Sequence, residues 1–139
     1  MTEDPGGGGR GGHTLSPMGT NVFVHDDVVD IDVTGWSRLW ALSSHVELKM
    51  ADIVDARIAS RAELLEGIGW RVGGTYVPGK VASGRYTTKG RKGVRQLWDV
   101  YTDTELLVIE TRLDDPWRVV LQHPDRDFLA WIISERIHH

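Results

Sequence analysis

"VRQLWDVYT" (94–102), "TELLVIET" (104–111), "WRVVLQH" (117–123) and "PDRDFLAWIISERI" (124–137) follow one another closely along the chain, and their reading decides the fold. The first three are short runs rich in β-branched and aromatic residues, so they read as strands. "YTDTE" between the first two predicts a hairpin, and "DDP" (114–116) predicts a turn before the third. The fourth run changes period. Pro124 and the acids after it suit the first turn of a helix. Phe128, Leu129, Ile132 and Ile133 then form one apolar stripe, with Trp131 at its edge. Strands followed by a single helix predict a mainly β domain closed by a C-terminal helix.

Working back toward the N-terminus, "VASGRYTT" (81–88) is another strand, joined to 94–102 by a hairpin at "TTKGRKGV". "VVDIDV" (28–33) alternates, with Val29, Ile31 and Val33 on one face and Asp30 and Asp32 on the other. "HVELKM" (45–50) alternates again, and "ADIVDARIA" continues as a strand with Val54, Ala56 and Ile58 inward. Trp36, Leu39 and Trp40 have the spacing of a short helical turn. "SRAELLEGIGW" (60–70) predicts a short helix, with Ser60 as N-cap, Glu63 completing a capping box and Gly67 as the stop. The glycine-rich passage 73–79 is expected as an irregular loop, and residues 1–20 as a disordered tail. These elements predict one domain over 21–139, with about six or seven antiparallel strands in a barrel-like pair of sheets capped by one helix.

A chain of 139 residues supports one hydrophobic core. It has no cysteine, which excludes a disulfide scaffold, a thiolate nucleophile and any cysteine-bearing zinc site. No apolar run approaches the length that spans a bilayer, and the N-terminus has no apolar segment of the signal-peptide kind. A cytoplasmic location is expected.

"GTYVPGKV" (74–81) has the glycine and lysine spacing of a phosphate-binding loop. Val81 replaces the Ser or Thr that would hold magnesium, Pro78 removes an amide from the cradle, and a β-like run follows where a helix is needed. Nucleotide binding is therefore not expected. The acids of "HDDVVDID" (25–32) lack the loop spacing and glycine of a calcium hand. None of the six histidines falls in an H-x-x-x-H pattern, and no serine sits in a nucleophile elbow. No catalytic set, metal site or cofactor is predicted. Six tryptophans are many for this length; Trp131 is expected to meet Trp98 or Trp117 in the core.

Charge is distributed unevenly. The net charge is −4, yet no acid occurs between Glu66 and Asp99, where seven of the sixteen cations fall. Arg85, Lys89, Arg91, Lys92 and Arg95 crowd the hairpin joining 81–88 to 94–102 and are the candidate residues for an anionic partner. The plainer reading of such charges is solubility and protection of strand edges.

The order of elements, with the passage "GWRVGGTYVPGKVASGRY", the aromatic strand "RQLWDVY", then "LLVIET" and "WRVVLQHPDRDFLAWI", resembles small actinobacterial-type domains of the bacterial pleckstrin-homology-like group. The resemblance covers roughly residues 22–135. It implies two roughly orthogonal antiparallel sheets, plugged at one end by the C-terminal helix. In eukaryotic relatives, basic residues of the first hairpin bind phosphoinositide headgroups. Here "VTGWSRLW" offers only Arg38, so that role does not transfer.

The function expected is a non-enzymatic binding or scaffolding domain acting on a protein partner. An anionic membrane surface at the inner leaflet and an apolar small-molecule cargo are the alternatives. Nucleic acid is not expected as a partner of so acidic a domain. A homodimer that pairs strand 28–33 with the basic hairpin of a second copy is a further expectation.

Overall fold

In the computed structural model, residues 20–33, 44–77 and 81–138 are described. They form nine strands: β1 (Thr20–Val24), β2 (Val28–Val33), β3 (Ser44–Lys49), β4 (Ile53–Ser60), β5 (Ile68–Val77), β6 (Val81–Thr88), β7 (Arg91–Val100), β8 (Glu105–Thr111) and β9 (Arg118–Leu121). Two helices accompany them, α1 (Arg61–Leu65) and α2 (Arg126–Ile137), with a 3-10 turn at Met50–Asp52. The domain is thus mainly β with a C-terminal helix, and it contains two sheets. One has the order β1-β2-β3; the other runs β4-β8-β9-β7-β6-β5. Neither sheet closes on itself among the described residues, so the expected barrel does not form.

The larger sheet buries its central strands on both faces, which explains their near-continuous apolar runs. Leu107 and Ile109 of β8, Val119 and Leu121 of β9, and Leu97 of β7 point to one face. There they meet Val22, Val29, Ile31, Val46 and Leu48 of the small sheet, and Leu129 and Ile133 of α2. Leu106, Val108, Val120, Trp98 and Val100 point to the other face, where Leu64 of α1 and Tyr86 cover them. Trp98 is fully buried, edge-on to Tyr86 at 6.3 Å between ring centroids. Its indole N–H donates to Gln96 Oε1 at 2.9 Å, so the ring is buried without an orphaned donor.

α2 lies across β4 and β8. Ser134 Oγ donates to the Ala56 carbonyl at 2.9 Å, and Arg136 pairs with Asp26 in the β1–β2 turn. The two sheets are also joined at Asp99 of β7, which is fully buried. Its carboxylate accepts from Thr20 Oγ1 at 2.6 Å and from the Tyr101 hydroxyl at 2.9 Å.

Several elements differ from the sequence reading. β7 and β8 do not form a hairpin across "YTDTE": β9 lies between them, antiparallel to β8 but parallel to β7. A strand buried on both faces belongs in the middle of a sheet, and β9 is buried at all four positions. The sheet is therefore mixed, not wholly antiparallel. The passage expected as a loop over 73–79 is extended through Val77 as part of β5, and β1 was not foreseen. The helix expected over 60–70 is only five residues long. Ser60 does cap it, accepting from the Glu63 amide at 3.2 Å. In β4 a bulge between Ile53 and Asp55 shifts the alternation, so Ile53 and Ala56 are buried while Val54 is 48% exposed.

Trp131 does not join the core; it is 56% exposed on α2, beside Phe128. The residues expected as the tail fall outside the described residues, except Thr20, as does the expected helical turn at 36–40. Among the described residues, no helix is long and apolar enough to cross a membrane.

Candidate basic groove

The hairpin joining β6 to β7 carries the predicted cations, and two bulges shape its end. On the β5 side, Gly69 and Trp70 lie between the pairs Ile68–Thr88 and Arg71–Tyr86, so two residues face Thr87 alone. On the β7 side, Lys92, Gly93 and Val94 lie between the pairs Arg91–Thr88 and Arg95–Thr87. The regular ladder therefore opens on both flanks of Thr87 and Thr88. Thr87 Oγ1 accepts from the Trp70 amide at 2.6 Å and fixes the first bulge. Gly93, at φ +81°, permits the second, because that region is costly for residues with a Cβ.

The result is an open groove of about 430 Å³ lined by Trp70, Thr87, Thr88, Arg91, Lys92 and Arg95, together with Gly90 and Gly93. Among these described lining residues none is acidic. Trp70 is 83% exposed, the most exposed large apolar side chain among the described residues.

Of the five predicted cations, the structure brings Arg91, Lys92 and Arg95 together in the groove. Arg85 is engaged elsewhere: its Nη1 donates to Asp115 Oδ1 at 3.1 Å. Lys89 sits at the exposed tip, and its amide donates to the Gly67 carbonyl at 3.0 Å. The guanidinium of Arg91 lies 4.5 Å from the centroid of Trp117, and so does that of Arg118. Arg118 is 6% exposed, and its Nε has no hydrogen-bond partner. Burial, with smaller repulsion from Arg57 and Arg91, pushes its pKa below the ordinary arginine value.

Trp70 is the groove residue that sequence reasoning missed. A signal was present: it lies at the start of the acid-free stretch 67–98. Reading 60–70 as a helical segment stopped at Gly67 hides it, because a helix stop says nothing about a bulge.

Elsewhere, the acids of β2 meet histidines on the outer face of the small sheet. His45 Nδ1 lies 2.5 Å from Asp32 Oδ1, and His25 Nε2 lies 3.2 Å from Asp30 Oδ2. The hydrogen bond with Asp32 raises the pKa of His45 above its ordinary 6.5. Among the described residues, no three His, Cys, Asp or Glu side chains group as metal ligands.

"GTYV" of the phosphate-loop-like passage is strand, paired with β6 from Gly74–Gly84 to Val77–Val81, so strand follows strand. Residues 78–80 lie outside the described residues.

These features define a mainly β domain whose hairpin end carries a basic groove with an exposed tryptophan. Comparison with protein-family profiles, with curated proteins and with solved structures finds no match to this chain.

Proposed function

We propose that this chain is a non-enzymatic binding module of pleckstrin-homology-like architecture that takes an anionic protein surface in the groove of Trp70, Arg91, Lys92 and Arg95. The observation that carries the reading is that three cations and one exposed tryptophan line the same groove, in a protein whose net charge is −4. Cations gathered this way create a local positive field against the sign of the whole molecule, which steers an acidic partner to one place. Tryptophan supplies apolar area for a short-range anchor. The two sheets and the C-terminal helix packed across β4 and β8 support the architectural part of the reading.

The test is retention on an immobilised polyanion across a salt gradient. The wild-type chain is expected to bind at low salt despite its net charge and to elute as salt screens the contact. The variant K89E/R91E/K92E is expected to flow through. Wild-type flow-through at low salt, or equal retention of the variant, sinks the reading. The exposure of Trp70 specifically favours one second reading, an anionic lipid surface, because tryptophan prefers the membrane–water boundary. Salt-sensitive co-sedimentation with anionic but not neutral vesicles would select it.

A further inference from the structure

The outer face of α2 carries the complement of the groove. Asp127, Trp131 and Glu135 are all exposed and recur every four residues, so they form one line along the helix. Trp131 is the centre of that line, with a carboxylate about 6 Å along the axis on either side. Phe128, 46% exposed, widens the apolar centre and touches Trp131, with ring centroids 6.0 Å apart. An aromatic centre flanked by carboxylates is the inverse of a groove in which an exposed tryptophan is flanked by Arg91, Lys92 and Arg95.

The two surfaces cannot meet within one molecule. α2 packs on β4 and β8, and β4 is one edge of the six-stranded sheet. Trp70 belongs to β5, the opposite edge. Any contact between them joins two molecules.

We infer that the occupant of the groove is a second copy of this chain, which presents the Asp127–Trp131–Glu135 face of its α2. This rests on the groove reading above and names its partner. Two copies can join groove to helix reciprocally in a two-fold dimer, or through one such contact, which is head-to-tail and leaves one groove and one helix face for further copies. The head-to-tail form propagates unless the rotation between copies closes a ring.

Sedimentation velocity over a range of concentrations, at low and high salt, tests it. Wild-type chain is expected to form dimers or larger species as concentration rises, and added salt reverses this. K92E/R95E and D127K/E135K are each expected to remain monomeric, with the dissociation constant raised at least about tenfold. An equimolar mixture of the two is expected to associate again, because every groove–helix contact between unlike copies joins opposite charges. Circular dichroism of each variant confirms that it is folded. W70A and W131A are expected to weaken association without altering its salt dependence.

A wild-type chain that stays monomeric while still held by the polyanion overturns self-association and leaves the groove reading intact. Failure of both overturns both. Variants that associate as wild type does, or a mixture that stays monomeric, overturn the pairing of these two patches. Vesicle binding by a monomeric chain assigns the groove to lipid instead.

Discussion

Gly69 has no room for a side chain: a Cβ there would lie 2.2 Å from Thr87 Oγ1 and 3.2 Å from the Thr87 carbonyl oxygen. The obstacle includes backbone, so the bulge that presents Trp70 must move to admit even alanine. Gly69→Ala is expected to cost about 1–3 kcal/mol in urea unfolding and to weaken polyanion retention. Gly93→Ala meets open space but must hold φ near +81°, which costs about 1–2 kcal/mol by itself. His45 gives a pH-dependent prediction. Its folded pKa is raised, chiefly by Asp32, so its contribution is fully present below the unfolded value of 6.5 and is lost as pH rises through the folded pKa. NMR titration is expected to place His45 above 6.5 in the wild type and nearer 6.5 in Asp32→Asn. An unshifted wild-type value would remove the pairing as a source of pH-dependent stability.

At the scale of elements, α2 separates two classes of apolar residue that periodicity placed in one stripe. Ile133 is fully buried between the sheets, whereas Phe128 is 46% exposed. Ile133→Ala is expected to destabilise by about 2–5 kcal/mol. Phe128→Ala is expected to change stability by about 0.5 kcal/mol or less, as surface substitutions do. Equal losses in thermal unfolding would contradict this packing of the helix. The stripe itself was legible because helical period marks a broad apolar face. Its edge was not, because burial at the margin depends on how far the neighbouring sheet extends. The same limit explains β4, where alternation named Val54, Ala56 and Ile58 as inward and one bulge turned Val54 to solvent. The basic hairpin was legible from its glycines and lysines. Of its five cations, however, only a structure shows that Arg85 is paired with Asp115 while Arg91, Lys92 and Arg95 share a groove. Strand order was the least legible feature. A parallel neighbour is set by burial of β9 on both faces, and no local turn signal encodes that choice.

Across the whole molecule, Asp99 ties the small sheet to the large one. It is buried, and Thr20 and Tyr101 both spend their hydroxyl protons on it. Asp99→Ala is expected to cost about 1–3 kcal/mol, because it removes the acceptor of the buried Thr20 hydroxyl. Thr20→Ala is expected to cost about 1 kcal/mol, the net value of a single bond. If Asp99→Ala proves no worse than Thr20→Ala, the carboxylate is not the joint between the sheets. The position of β9 has a consequence for synthesis. β4 and β8 can pair with each other, and β5, β6 and β7 can pair among themselves, before residues 118–121 exist. Until then the large sheet is two fragments, each with an open inner edge of unsatisfied backbone groups. Residues 118–121, made after the other five strands of this sheet, close both edges at once, so folding of the sheet is completed at its middle. A chain stopped at Trp117 would carry two adhesive edges and is expected to aggregate.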